Sequence, residues 1–284
     1  LPSFPGVIFK RGLIFMCCDA TERRGLLMKK IITVANQKGG VGKTTTVVNL
    51  AANLKRGGYN VLCIDLDGQG NLSDYLGYTG DEGTPVITDL IKAEMSKNIT
   101  DDMINAAILT STADGIDYIP SDISLSMADM FMASAIGREM ILRKLLSKAI
   151  FDKYDYIIID CLPSLGILVV NALVAANGVL IPVQTQKFAL NGIIQFEEII
   201  TMAKELNPTL SVYGVIETMC DNTNMTKGVD EALRSRYGNL VFDSRISKSV
   251  MASNSTAEQK AMTINTKLGG QYAELTRELI ERCK

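Results

Sequence analysis

From Ile31 onwards, short unbroken apolar runs alternate with longer stretches whose apolar positions recur at helical spacing. The short runs are Ile31 to Ala35, Val61 to Leu66, Tyr156 to Ile159, Val179 to Val183 and Val212 to Ile216, all rich in Val and Ile. A strand with one wet face alternates in polarity, so unbroken runs of this kind predict strands buried on both faces of a parallel sheet. Between them, helices are predicted over Thr44 to Arg56, Arg138 to Ile150, Leu165 to Ala176, Leu190 to Leu206 and Lys227 to Tyr237. A last amphipathic helix starts at about Gly270, with Tyr272, Leu275, Leu279 and Ile280 on one face. The alternation implies an α/β fold with a doubly wound, mostly parallel sheet. The segment from Asp81 to Met132 is less regular. Gly83, Pro85, Gly115 and Pro120 punctuate it, which predicts short helices and one strand near Ile116 to Ile119. No repeat or linker divides the chain after Met28, so residues 28–284 read as one domain.

Residues 1–27 fall outside this pattern. They carry Cys17-Cys18 and Arg23-Arg24, and their apolar patches, Val7 to Phe9 and Leu13 to Met16, are too short and interrupted for a signal-peptide core. They are expected to be a disordered or non-native extension; the sharper alternative is an amphipathic lead that touches a membrane. From Cys161 to Gln186 there is no charged residue, yet Pro163, Asn171, Asn177-Gly178 and Pro182 break the stretch. It reads as a helix followed by a buried strand rather than a membrane span.

Composition narrows the chemistry. The 284 residues are 47% hydrophobic and 21% charged, enough for a sizeable core and too little charge for disorder. Lys+Arg total 29 against 31 Asp+Glu, a formal net charge of −2, which excludes a bulk polybasic binder and leaves only local basic patches. There is no His, so imidazole bases, Ser-His-Asp triads and His-ligated zinc are excluded together. The six Cys include no C-x-x-C pair, which favours free thiols in a reducing cytoplasm. Catalysis must therefore rest on carboxylates, lysines and phosphates.

The densest signal is Ala35-Asn36-Gln37-Lys38-Gly39-Gly40-Val41-Gly42-Lys43-Thr44-Thr45, placed after a strand and opening a helix. Glycines there turn backbone N–H groups towards a phosphate, and the helix N-terminus adds a favourable dipole. Lys43 supplies charge for β and γ oxygens, and Thr44 a hydroxyl for Mg²⁺. The first glycine of the ordinary P-loop spacing would fall at Gln37, and an extra lysine, Lys38, stands beside it. The stretch resembles the deviant Walker A motif, K-G-G-x-G-K-[ST], of the ParA/MinD ATPases. The resemblance implies a P-loop NTPase fold with ATP and Mg²⁺ as cofactors, held by Lys38 through Thr45. It also implies a homodimer that sandwiches ATP, with Lys38 reaching the partner's phosphates, so that dimerisation and hydrolysis are coupled.

Two further segments extend the resemblance. Asp65-Leu66-Asp67-Gly68-Gln69-Gly70-Asn71 looks like the family's D-x-D-P-Q-G-N, which implies that Asp67 orients the attacking water and lies near the metal. Gly68 stands in place of the family proline, and loss of that fixed φ is expected to loosen the loop and slow turnover. Tyr156-Ile157-Ile158-Ile159-Asp160 reads as a Walker B strand whose carboxylate acts on Mg²⁺, and Cys161 to Gly166 follow the family's D-x-P-P-S-L-G except at Leu162.

Finer segments, Asn171-Ala172-Leu173, Ile181 to Thr185, Phe188 to Gly192 and Thr218-Met219-Cys220-Asp221, resemble the ParA/Soj branch, the chromosome and plasmid partition ATPases. That branch implies an ATP-dependent, nucleoid-associated cytoplasmic protein, without stable membrane insertion, that binds non-specific DNA as a dimer and works with a ParB-like partner. Charge from Thr201 onwards is nearly balanced, so only clustered cations serve DNA; Lys227, Arg234, Arg236, Arg245 and Lys248 are the candidates. Met219, Ser247 and Ser249 fall where the family meets the nucleotide base, although Ile246 to Val250 differs from the family's I-P-R-N-V. Ala252 to Met262 is unrecognisable, and Thr223 stands where the family has Arg. The alternatives are a MinD-like ATP-gated membrane switch, which Glu274, Glu278 and Glu281 in the last helix argue against, and a metabolic or iron–sulfur P-loop enzyme. No cysteine ligand spacing supports the latter.

Overall fold

The first strand outside residues 1–28 forms at Lys30–Val34 (β1), and everything central to the molecule is arranged around it. The computed structural model describes residues 29–81, 83–186 and 189–283. The expected extension over residues 1–27 lies outside these, as does Phe188. Further strands are Val61–Leu66 (β2), Leu109–Thr110 (β3), Asp117–Ile119 (β4), Tyr156–Cys161 (β5), Gly178–Gln184 (β6) and Ser211–Thr218 (β7). They make one sheet in the order β3-β4-β2-β5-β1-β6-β7, parallel throughout except for the β3–β4 pair. Register is set by apolar partners such as Ile31 with Ile157 and Ile64 with Ile159. Every residue of β2 and of β5 is buried, as the unbroken apolar runs require.

Helices cover both faces. Lys43–Arg56 (α1), Asn71–Leu76 (α2) and the C-terminal helix pack with Ile32, Val34, Cys63, Ile158 and Ile216 on one side. Between α2 and the C-terminal helix lie Ile87–Met95 (α3), Asp101–Ala107 (α4), Ala128–Met132 (α5), Ile141–Leu146 (α6), Ile167–Ala175 (α7), Ala189–Leu206 (α8), Asn224–Tyr237 (α9) and Met251–Ala257 (α10). The second face buries Ile31, Ile64, Ile157 and Ile159 against α3, α6, α7 and α8. The C-terminal helix itself, Lys267–Arg282 (α11), begins before Gly270 because Thr266 caps it, its hydroxyl accepting from Gly269 N at 3.1 Å.

The uncharged stretch is a buried helix and strand, α7 and β6, and no described helix is long and apolar enough to cross a membrane. Pro182 sits inside β6 without loss of a ladder bond. Ala35 N already bonds to Leu180 O, so β6 outruns β1, and the Pro182 carbonyl accepts from Asn36 Nδ2 at 2.7 Å. The helix expected over Arg138 to Ile150 is broken into a 3₁₀ turn, α6 and a second 3₁₀ turn. Asn171 explains the delayed start: its Oδ1 accepts from Leu142 N at 3.1 Å and its Nδ2 donates to Arg138 O at 2.8 Å. β3 is two residues long, too short to carry a periodic signal. Cys63, Cys161, Cys220 and Cys283 are free thiols.

Candidate functional site

The loop between β1 and α1 is a cradle of backbone N–H groups. Gly40 and Gly42 take φ of 70° and 83°, the left-handed region that favours glycine. Gly42 is the N-cap of α1 and supplies no side-chain acceptor, and the first turn holds no acid, so the N-terminal N–H groups of this helix remain open to an anion. The loop is pinned from outside: Asn36 Oδ1 accepts from Lys38 N at 3.0 Å, and Thr218 Oγ1 at the end of β7 donates to Val41 O at 2.9 Å. Gly39 lies against Pro163, and Thr45 follows within the first turn of α1.

The two lysines of the loop differ in place. Lys43 is 8% exposed, its Nζ donating to Lys38 O at 3.2 Å. Burial lowers its pKa against the opposing pull of Asp160. Lys38 is exposed, and its Nζ lies 3.4 Å from Gln184 Oε1 and 3.2 Å from Gln186 Oε1, outside the cradle.

Below the cradle, parallel β2 and β5 bring their C-terminal carboxylates together, Asp65 being in register with Asp160. Thr44 Oγ1 donates to Asp160 Oδ2 at 2.6 Å, while Asp160 Oδ1 is buried with no protein partner. Burial, reinforced by Asp65, pushes the Asp160 carboxyl up to about 8. Asp65 accepts from Ser73 N at 2.8 Å, Ser73 Oγ at 2.7 Å and Asp67 N at 3.1 Å, yet burial still raises it to about 6. Asp67 stands at the mouth, half-buried, with Oδ1 accepting from Gln69 N at 3.0 Å. A hydroxyl, one unpartnered buried carboxylate oxygen and an anion cradle fit a hard cation that takes oxygen ligands and shares phosphates, as Mg²⁺ does. Among the described residues no three His, Cys, Asp or Glu side chains form a metal cage.

Gly68 is buried, covered by Ser126 of the 3₁₀ turn Ile123–Met127 and by Asp122, which caps that turn. The supporting residues Ser73 and Ser126 belong to no motif, and nothing in the Thr218 to Asp221 segment signals the Thr218 contact with the P-loop; the fold brings all three to the site.

β7 ends at the same place. Cys220 N donates to Ile246 O and Lys248 N to Cys220 O, both at 2.9 Å, which sets Cys220, the residue after Met219, opposite Ser247. Met219 adopts φ 53°, unusual for a non-glycine residue. Ser247 is held by Gln271, accepting from Nε2 at 2.8 Å, and Ser249 Oγ caps Met251 N at 3.2 Å. The five candidate cations separate. Arg245 Nε lies 3.0 Å from the fully buried Glu217, and Arg234 pairs with Asp230 at 2.7 Å and Asp243 at 3.2 Å. Arg245 also pairs with Asp230, which ties both arginines to one acidic centre. Arg236 pairs with Glu197 at 2.7 Å on the surface, and Lys227 and Lys248 are exposed without an ion pair among the described residues.

A parallel sheet with this loop, this helix N-terminus and two strand-end carboxylates defines a P-loop nucleoside-triphosphatase. The family described as an AAA domain matches residues 29–212. The chromosome partitioning protein ParA of Caulobacter vibrioides is 36% identical over 259 residues, covering 89% of this chain and 94% of that one. The sporulation initiation inhibitor protein Soj of Bacillus subtilis is 38% identical over 244 residues, covering 84% and 91%. In structure, the cobyrinic acid a,c-diamide synthase of Mycobacterium smegmatis, with bound ATP analogue and magnesium, matches with a TM-score of 0.77 at 30% identity, covering 89% of this chain and 94% of that one. The chain belongs to the ParA/Soj family of P-loop ATPases and is an ATPase.

Proposed function

We propose that this protein is an ATP-switched DNA-partition ATPase. The phosphates of ATP lie in the cradle of residues 38–45, with Lys43 on their oxygens. Thr44 and Asp160 would hold Mg²⁺, which neutralises the developing charge of phosphoryl transfer when bound. Asp67 orients the attacking water at the mouth of the site. Lys38 serves the phosphates of a second copy, so that ATP closes a sandwich dimer, and the base lies by Met219, Ser247 and Ser249. The dimer binds DNA without sequence preference, and a ParB-like partner chooses where.

The observation that carries this reading is the contrast between the two lysines, Lys43 folded inside its own cradle and Lys38 exposed outside it. A second loop lysine whose side chain lies outside its own cradle suits phosphates supplied by another copy. The ParA and Soj names of the relatives support partition over the synthase named among the structural neighbours, because both sequence matches run to higher identity. The MinD-like alternative finds no support in α11. Its apolar residues Leu268, Tyr272, Leu275 and Leu279 are buried in the core, and Glu278 is engaged by Arg282 at 2.7 Å.

The test is binding to a non-specific DNA duplex at one fixed salt concentration with ATP–Mg²⁺, ADP–Mg²⁺ or no nucleotide. Binding confined to ATP is expected. Equal binding in all three states, or none in any state despite bound ATP, would count against the switch.

A further inference from the structure

We propose that Ser126, carried on the 3₁₀ turn Ile123–Met127, is a positioning residue for hydrolysis that holds the Asp67 loop by seating on Gly68. The proposal rests on the reading of Asp67 as the residue that orients water. Gly68 is not among the glycines with positive φ, so its backbone conformation suits any residue; what demands glycine is space. A Cβ added there would fall on Ser126 Oγ, and would stand 3.0 Å from Ser126 N and 3.5 Å from Asp122 O. The hydroxyl is the nearest obstacle, whereas the backbone nitrogen would have to give by only a few tenths of an ångström. Leu125 and Ala128, 0% and 2% exposed, anchor the turn to the core, while Ile123, Ser126 and Met127 face outwards.

The turn is also tied to both loops that frame the site. Ser121 N donates to Ser73 Oγ at 2.8 Å, and Ser73 bonds to Asp65, which in turn receives Asp67 N. At its far end Asp129 Oδ1 accepts from Ile167 N at 3.4 Å, at the start of the helix that follows the Asp160 loop. Residues 121–129 therefore form a strut between the Asp67 loop and the Asp160 loop. In this chain the rigidity that a proline ring would give at position 68 comes instead from a neighbour packed on a bare glycine.

The test compares wild type, Gly68→Ala, Ser126→Gly and the double variant, with Asp67→Ala alongside. Gly68→Ala should lower kcat by about tenfold or more, because small displacements of a positioned group cost that much, while ATP affinity stays near wild type. Ser126→Gly alone should lower kcat by emptying the seat, and combined with Gly68→Ala, whose methyl then fills the gap, it should restore most of the kcat. Wild-type kcat in Gly68→Ala, or a loss that Ser126→Gly does not relieve, would overturn the assignment. Should Gly68→Ala be too unstable to assay, Ser126→Gly must raise its Tm, and no gain would equally overturn the contact. Asp67→Ala separates the two readings. Turnover retained there removes the role of Asp67 and the proposal with it, whereas turnover lost there beside an unaffected Gly68→Ala overturns only Ser126.

Discussion

Asp160 shows at a single side chain how function and stability oppose each other here. Its carboxyl is raised from 3.8 to about 8, first by burial and then by Asp65, because no protein group neutralises Oδ1. A folded pKa above the unfolded one means that the folded state holds the extra proton, so stability falls as pH rises from about 4 to about 8 and is level beyond. Asp65, raised to about 6, adds to the lower part of that window. Asp160→Asn should therefore give a nucleotide-free protein whose Tm changes less between pH 6 and 8. At pH 8 it should melt higher than wild type by roughly 2–4 °C, the shift that about 1 kcal/mol brings to a chain of this size. Thermal scans across pH check this; parallel curves for the two proteins would refute it. The same variant should lose magnesium-dependent nucleotide binding, the usual exchange between a strained site and a stable one. Lys43 and Asp67 divide differently. Lys43→Gln should weaken ATP binding by about 2–5 kcal/mol, the cost of removing one partner of a buried charged contact, in a nucleotide titration. Asp67→Ala should keep ATP and lose turnover, leaving a dimer that light scattering detects.

At the scale of elements, α9 and the segment after it are joined by Arg234 and Arg245 around Glu217 and Asp230. Burial raises Glu217 to about 7, against the opposing pull of Arg245 and Arg234. Removing Arg245 leaves this carboxyl, 0% exposed, with only the more distant Arg234 at 4.0 Å, so Arg245→Met should destabilise the fold by about 1–3 kcal/mol, read by denaturant titration. Lys227 and Lys248 carry no such partner, and the Arg236–Glu197 pair is a surface contact worth little. Their substitution should leave stability nearly unchanged and lower DNA affinity instead. This division was not legible in the sequence, where all five are simply basic residues spread from Lys227 to Lys248. What was legible follows from locality. The strands of the central sheet announced themselves because burial on both faces makes their apolar runs nearly continuous, broken only by a few polar residues such as Thr33, Asp65 and Asp160. The P-loop was legible because one turn between a strand and a helix holds every group it needs. The Thr218–Val41 bond joins residues 177 apart, and the Ser126–Gly68 seat joins a motif to a segment without one. No local pattern encodes such contacts. Gly68 is the clearest case: read alone it means freedom, and read with Ser126 above it means close packing.

For the whole molecule the proposed DNA binding raises the question of how a chain of net charge −2 would hold a polyanion. A formal net charge of −2 gives no overall attraction to DNA, so on the proposed reading binding rests on local cations, which a dimer formed over ATP would double. Each phosphate contact steepens the fall of log K with log salt by about 0.9, so Lys227→Ala, lost from both copies, should flatten that slope by about 1.8. Lys38→Ala tests the dimer itself, because the Lys38 side chain is exposed beside Gln184 and Gln186, outside the cradle that its backbone helps to form. It should bind ATP as a monomer with near wild-type affinity and lose DNA binding even though all five candidate cations remain. Sedimentation with ATP and the duplex reads both properties in one run. A Lys38→Ala protein that still dimerises and binds DNA would mean that the doubling has another source, and the outward lysine would then need a different explanation.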